Sequence, residues 1–479
     1  MLYRIFRILV SGLILLAFLS GFFIHFDLFE SLSSYIASWQ FFPAIISSLK
    51  SGFFAISQIV VLVITVLFGR IYCSLICPLG TVQDFFGIFS KRKRKFYSPS
   101  LLVRYTIPLI AILFFVLAIS ALIGITEPYS IVSRSMSYAD SLIRHEFKGE
   151  VLYTGIIALI ILCAIIILSL LRGRYYCNSF CPTGAILSLF SWFPLFAVRM
   201  NKDKCVSCGK CLQSCKAECI DVKDKRIDSS RCVACFNCMD KCNFNAISYS
   251  IFKKSKSSEE NPKGRQTNRR SVISLIVLGI LTYPFSRLLH SKTSALPIVP
   301  PGSDSIKHFT ENCTACHLCV SQCPTKVLKP SLFEYGIAGL MQPRLDYNSG
   351  YCDYNCNICN KICPTKAIKP LSLSDKQNIS IGLASIDESI CIPYAKGTAC
   401  AACDEMCPTG ATHMIKYKNG LPAPKVDNDI CIGCGACENA CPVAPKKAII
   451  VTSRAYHTKI DPLKSTKSNS KDNINDFAF

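Results

Sequence analysis

The chain has 479 residues, 51% hydrophobic and only 18% charged, with 53 Lys plus Arg against 31 Asp plus Glu and a formal net charge of +22. That hydrophobicity excludes a disordered chain, and 30 cysteines over this length exclude a small disulfide scaffold. Long uncharged runs exclude a simple soluble enzyme.

Five such runs follow in chain order. Ser11–Ile24 sits in a 17-residue gap between Arg7 and His25, Ser51–Gly69 has 19 residues, Tyr105–Thr126 has 22, Val151–Leu171 has 21 and Ser271–Ser286 has 16. A membrane span needs about 20 residues, so four helices are expected, with Arg7 snorkelling at the end of the first and the fifth run as a short anchor. Lys and Arg crowd the segment between the second and third helices (Arg70, Lys91–Lys95, Arg104) and follow the fourth (Arg172, Arg174), which places both ends of this unit in the cytoplasm. The Lys-Arg-Lys-Arg-Lys run is read as an anchor beside anionic membrane lipid, not as a nucleic-acid site. Before the fifth run, Thr267-Asn268-Arg269-Arg270-Ser271-Val272-Ile273 has the form of a twin-arginine export signal, so the chain beyond about His290 is expected outside the cytoplasmic membrane.

Six cysteine quartets account for 24 of the cysteines. Four read C-x2-C-x2-C-x3-C: Cys205, Cys208, Cys211, Cys215; Cys232, Cys235, Cys238, Cys242; Cys313, Cys316, Cys319, Cys323; and Cys431, Cys434, Cys437, Cys441. The fourth set in chain order, Cys352, Cys356, Cys359, Cys363, and the fifth, Cys391, Cys400, Cys403, Cys407, widen only the first gap. Pro follows the last Cys in the third to sixth sets. This is the bacterial ferredoxin run, in which three close thiolates hold one [4Fe-4S] cluster and the fourth reaches its neighbour. Zinc knuckles lack the x3-C-P tail. Six clusters are expected, and no haem, although Cys313-Thr314-Ala315-Cys316-His317 matches a c-type haem attachment pattern.

Sixteen residues separate Cys215 from Cys232, so the first cluster should take Cys205, Cys208, Cys211 and Cys242, and the second Cys232, Cys235, Cys238 and Cys215. The outer sets, with gaps of 28, 27 and 23 residues, leave sequential and nested pairing open; nested pairing, third with sixth and fourth with fifth, is favoured. Cys163 and Cys219 read as packing residues. The repeats Arg70–Gly80 (RIYCSLICPLG) and Gly173–Gly184 (GRYYCNSFCPTG) each end a helix with half a ferredoxin motif. Cys73, Cys77, Cys177 and Cys181 are therefore expected to converge as a metal, cluster or redox-thiol site.

Residues 1 to about 250 resemble NapH, the membrane quinol dehydrogenase component of periplasmic nitrate reduction, in their four spans, two C-x3-C-P repeats and two-cluster ferredoxin. Residues from about 265 onward resemble NapG, its periplasmic ferredoxin partner. The C-x3-C-P repeats are shared with NosR and the CcoG/RdxA-type assembly proteins, whose added flavin or immunoglobulin-like domains are not visible here. The resemblance implies an electron carrier that oxidises menaquinol or ubiquinol from the quinol pool and passes electrons to a periplasmic reductase or cytochrome c. The rival reading is a maturation or metal-reducing assembly factor. Ionisable groups of the outer loops, His25, Asp27, Glu30, Glu127, Asp140, His145 and Glu146, could accept quinol protons; Glu127 is the first candidate and His25 the second.

The expected fold is an α-helical membrane bundle of four helices in two helix-pair repeats, plus a fifth anchor helix, with α+β ferredoxin-like domains on both sides. Its divisions are a four-helix membrane domain (1–198), a cytoplasmic two-cluster ferredoxin (199–250), a basic linker (251–270), the anchor (271–289), a linker (290–306), a periplasmic four-cluster domain (307–455) and a polar tail (456–479).

Overall fold

The computed structural model describes residues 2–24, 27–51, 56–90, 94–96, 120–144, 149–192, 194–251, 296–336 and 339–460. The chain divides into two compact units, Met1–Phe147 with Leu152–His290, and Lys148–Val151 with Ser291–Phe479. The anchor at 271–289, the twin-arginine-like motif, His25, His145 and Glu146 lie outside the described residues.

Helix α1, Leu2–Phe23, opens the first unit. It starts well before the uncharged run and carries Arg4 and Arg7 within it. Helices α2 (Asp27–Ser38), α3 (Phe41–Ser51) and α4 (Ile56–Phe68) follow, then the one-turn α5 (Tyr72–Leu75) and α6 (Pro78–Phe86). After these come α7 (Ser120–Thr126), α8 (Pro128–Ile143), α9 (Glu150–Arg172), α10 (Tyr175–Ser179) and α11 (Pro182–Phe190). Two of the described helices, α1 and α9, are long and apolar enough to cross a membrane, and α4 is apolar but shorter. Of the third expected span, Tyr105–Thr126, only α7 is described.

The segments read as outer loops are helical instead. Helix α8 begins at Pro128, whose fixed φ suits the first helical position, and is capped by Glu127, which accepts a 2.6 Å hydrogen bond from the Ser130 amide. Its Ser130, Ser133, Ser135 and Ser137 are all buried. Small side chains let helices approach closely: a Cβ added at Gly155 of α9 would lie 1.9 Å from the Tyr138 ring. An apolar-run count misses such a helix because its buried face is polar.

The unit is tied together at Asp84 on α6, which is 8% exposed. Its carboxylate receives Arg7 of α1 at 2.6 Å, Arg174 after α9 at 2.9 Å and Lys216 of the ferredoxin at 3.3 Å. That ferredoxin closes with strands β1 (Phe196–Met200) and β4 (Ile247–Ile251), paired antiparallel, around a hairpin of β2 (Ile220–Asp221) and β3 (Arg226–Ile227). It is packed on the helix ends: Phe68 stacks on Phe196 at 5.3 Å, and Tyr3 meets Phe236 at 5.6 Å.

In the second unit, β5 (Leu328–Pro330) pairs with β6 (Pro343–Leu345), β7 (Ile379–Ile386) with β10 (Ile449–Lys459), and β8 (Thr412–Lys416) with β9 (Pro422–Val426), all antiparallel. Two expected boundaries move. The segment read as a linker enters the core, with Ile298 and Val299 buried and the Leu345 amide donating to the Ile298 carbonyl at 2.9 Å. The polar tail starts later, because β10 runs to Lys459 to pair with Ile379.

Two predictions follow from these contacts. Removing the charge of Asp84 in an Asp84→Asn variant leaves two buried guanidiniums and the half-buried Lys216 without their carboxylate; the first unit should lose about 3–5 kcal/mol, read as a lowered thermal midpoint. In the second unit both ring nitrogens of His457 are buried without a hydrogen-bond partner among the described residues. Burial draws its imidazole down to about 4 against the pull of Asp304. The folded state therefore disfavours the charged ring, and its contribution, complete above pH 6.5, is lost as pH falls towards 4. Between pH 7 and pH 5 the unit should lose roughly 2 kcal/mol, and His457→Gln should flatten that dependence.

Candidate iron–sulfur centres

The tight cysteine loops share one backbone device. The residue before the second Cys (Ser207, Ala234, Ala315, Gly433) and the residue after it (Gly209, Phe236, His317, Gly435) have φ between 49° and 77° in all four C-x2-C-x2-C sets. Left-handed residues between right-handed neighbours turn successive amides into one concavity, an arrangement that binds anions and iron–sulfur groups. Five of those eight positions carry a side chain, and non-glycine residues adopt this conformation at a cost. A second turn recurs three residues beyond the last Cys. Glu218, Asn245, Lys326, Lys366 and Gly410 have φ of 48–66°, and each amide donates to the carbonyl of that cysteine at 3.2–3.4 Å.

In the inner ferredoxin one cavity is lined by Cys205, Cys208, Cys211 and Cys242, and another by Cys215, Cys232, Cys235 and Cys238. Each set takes three cysteines from one loop and the fourth from the other. Cys219, assigned to packing, is buried beside the second set with its sulfur 3.7 Å from that of Cys215. Spacing gives no signal for this, since Cys219 stands outside every motif. Cys163 is exposed on α9.

The outer sets do not nest. Cys323 lines a cavity with Cys352, Cys356 and Cys359, and Cys441 lines one with Cys391, Cys400 and Cys403. Cys319 lies within electrostatic reach of Cys316, Cys313 and Cys363, and Cys437 of Cys434, Cys431 and Cys407. The third set thus pairs with the fourth and the fifth with the sixth, each pair exchanging fourth cysteines. The two pairs meet where the Cys352 amide donates to the Cys434 carbonyl at 2.9 Å. His317, of the haem-like pattern, is engaged through Nε2 with the Met341 carbonyl at 2.7 Å.

Burial pushes the Cys211 thiol up to about 11 and the Cys434 thiol up to about 12, so thiolate forms there only against a compensating cation. The paired cysteine sets and amide concavities fit [4Fe-4S] clusters, whose irons would supply that charge. Among the described residues no group of three or more His, Cys, Asp or Glu side chains is spaced to hold a single metal ion.

The two C-x3-C-P motifs form a separate layer. In each, the first cysteine (Cys73, Cys177) lies in a one-turn helix and the second (Cys77, Cys181) is the N-cap of the next, with Pro at its first position. The Gly184 amide donates to the Cys181 sulfur at 3.3 Å, and the helix N-terminus favours negative charge on that sulfur. The motifs cross-bond reciprocally. Arg70 donates to the Cys177 carbonyl at 3.0 Å, and Arg174 to the Cys73 carbonyl. A Cβ on Gly80 or Gly184 would lie 2.1 Å from the Cys73 or Cys177 carbonyl oxygen, so only glycine admits this approach. All four thiols are buried, and Cys181 lies within electrostatic reach of Cys177, Cys77 and Cys73.

Arg70 is fully buried, its Nε lacks a hydrogen-bond partner, and it makes no ion pair among the described residues. A buried cation without a counter-charge is costly. Anionic sulfur at this layer would supply the missing charge, so the donor set fits a cluster here too. The layer is also bonded to the ferredoxin on both flanks of its second cysteine set. Arg174 N donates to the Lys216 carbonyl at 2.8 Å, Asn178 to that of Ala217 at 3.1 Å and Arg70 to that of Ser230 at 3.4 Å.

Glu127 is not at an outer surface. It is 1% exposed at the break between α7 and α8, where the Tyr176 hydroxyl donates to the Thr126 carbonyl at 2.7 Å. The break between α2 and α3 is held likewise: the Tyr72 hydroxyl donates to Gln40 Oε1 and accepts from the Phe41 amide, both at 3.1 Å. Tyr72 and Tyr176 each precede the first cysteine of a motif. Both helix breaks therefore reach the cysteine layer, and Asp140, another outer-loop candidate, is buried and paired with Arg144 at 2.8 Å.

Comparison with known proteins finds a 4Fe-4S binding domain at residues 51–97 and again at 154–201, the two C-x3-C-P repeats, and 4Fe-4S dicluster domains at 312–375 and 396–444. The methylamine utilization ferredoxin-type protein MauM of Methylobacillus flagellatus is 34% identical over 213 residues, covering 42% of this chain and 88% of the relative. The ferredoxin-type protein NapF of Haemophilus influenzae is 30% identical over 154 residues, 32% of this chain and 80% of the relative. YccM of Escherichia coli, named for electron transport, is 27% identical over 156 residues, and the chain spans 43% of its length. No solved structure matches the chain. The chain belongs to the ferredoxin-type 4Fe-4S electron-transfer proteins that include MauM and NapF.

Proposed function

We propose that this protein is a multi-pass membrane electron carrier that oxidises quinol and passes the electrons to a periplasmic reductase, as a NapH–NapG fusion would. In this reading α1, α4, α9 and the segment ending at Thr126 cross the cytoplasmic membrane. The N-terminus and inner ferredoxin face the cytoplasm, and the four-cluster unit faces the periplasm. Support for the orientation is the concentration of Lys and Arg at 91–95, Arg70, Arg172 and Arg174.

The observation that carries the proposal is the cysteine layer hydrogen-bonded to the loops flanking Cys215 and Cys232. It supports Cys73, Cys77, Cys177 and Cys181 as a shared centre, additional to the six ferredoxin sets. When bound, [4Fe-4S] clusters accept and release single electrons. The chain's residues hold the counter-charges: Arg70 and Arg174 from the side, and the N-termini of α6 and α11 from the helix axes.

Oxidation of one quinol releases two protons with its two electrons, so a proton acceptor is needed beside the redox groups. Glu127 is the candidate, within electrostatic reach of Tyr72, Tyr176 and Cys77.

Purified anaerobically, oxidised and mixed with a menaquinol analogue, the protein should show prompt cluster bleaching. The Glu127→Gln variant should slow that bleaching about 100-fold and leave dithionite reduction unchanged. Intact clusters that dithionite bleaches and quinol does not would reject the quinol reading. Changing Cys73, Cys77, Cys177 and Cys181 together to Ser should lower iron content and stop quinol-driven reduction; full iron content with full electron transfer would remove the shared centre.

A further inference from the structure

We propose that the first unit carries a built site for the phosphate headgroup of an anionic membrane phospholipid. A cavity of about 530 Å³ lies between α1, α6 and the inner ferredoxin, within the range of ligand pockets. Helix α1 contributes Arg4, Arg7, Ile8, Ser11, Gly12, Leu15 and Leu16, the i, i+3, i+4, i+7, i+8, i+11, i+12 positions of one helical face. This face runs about 18 Å and is graded, from two guanidiniums through a small polar step to leucine. Phe85 of α6 and Ile88 in the turn after it continue the apolar wall. The shape and gradient suit an amphiphile with its head at Arg4 and Arg7 and its chain along Leu15 and Leu16.

The charges identify the head. Arg4 is paired with Asp240 at 3.4 Å, and the cavity lining holds five cations, Arg4, Arg7, Arg94, Lys216 and Lys241, against one carboxylate, Asp84. That carboxylate is already shared by Arg7, Arg174 and Lys216. Arg94 and Lys241 make no ion pair among the described residues. Arg7 is 3% exposed, yet its Nε has no hydrogen-bond partner. A buried guanidinium with an unmet donor beside two unpaired cations matches a phosphodiester, whose oxygens accept from guanidinium and ammonium alike. A choline headgroup would bring a further cation into this ring. Basic pockets at the cytoplasmic ends of membrane helices bind anionic lipid heads by this logic. The inference rests on the membrane placement of α1 but not on quinol as substrate.

The test uses the full chain with its clusters loaded. Detergent is removed in the presence of phosphatidylcholine vesicles or vesicles that also contain phosphatidylglycerol, and flotation is followed by native mass spectrometry of lipids retained on re-extraction. Wild type should float with both and retain phosphatidylglycerol about tenfold over phosphatidylcholine. Arg94→Gln with Lys241→Gln should weaken that retention about fivefold per cation, with iron content unchanged as the check on folding; Arg7→Gln should weaken it further.

Equal retention of the two lipids, or no effect of the double variant, would overturn the site. Displacement by millimolar inorganic phosphate would make the occupant a soluble anion, and displacement by a menaquinol analogue would make it quinol; either overturns the lipid. Failure to float with any vesicle would reject the membrane placement itself, a result distinct from flotation without headgroup preference.

Discussion

One buried carboxylate sets the register of the first unit. Asp84 draws a cation from α1, one from the turn after α9 and one from the ferredoxin loop after Cys215. Such a node adds little net stability, because desolvating four charges offsets most of their attraction. Its value is positional. It fixes where the ferredoxin sits on the helix ends, and so which ferredoxin loops reach Asn178, Arg70 and Arg174. The cysteine layer and the inner ferredoxin are held as one electrical neighbourhood by a residue that belongs to neither.

The ferredoxin content was legible because cluster ligation is a local code. Three thiolates must come from one tight loop, so their spacing is fixed and survives even where the first gap widens, as at Cys391–Cys400. The left-handed backbone at Ala234, Phe236 and His317 was not legible, since these residues do not normally favour it; the loop imposes it. Outer pairing was misread because sequence separation gave no decisive preference. The structure resolves it through local dicluster folds, each set lending its last cysteine to its chain neighbour.

The helices of the first unit were legible only where hydropathy is uniform. Helices α1 and α9 satisfy that condition, and α8 does not, because its contacts are made by serines, Arg134 and Tyr138 rather than by leucines. Glu127 ends an apolar run, which places it in an outer loop by sequence; in the structure it is buried as a helix cap. A Pro after an acidic residue marks a helix start as well as a loop, and here the helix turns inward, carrying the carboxylate to Tyr176 and the cysteines. Cys219 had no spacing to announce it; only folding brings its sulfur to Cys215.

The reciprocal crossing of the two motifs also bears on biogenesis. Arg70 reaches across to the Cys177 carbonyl and Arg174 to that of Cys73, so neither half encloses its own thiols. Cys73 and Cys77 leave the ribosome 104 residues ahead of Cys177 and Cys181. During that interval the first pair has no partner to shield it from oxidants or from premature metal. The crossed pairing of the motifs is a late product of translation, completed only when the second repeat has folded beside the first.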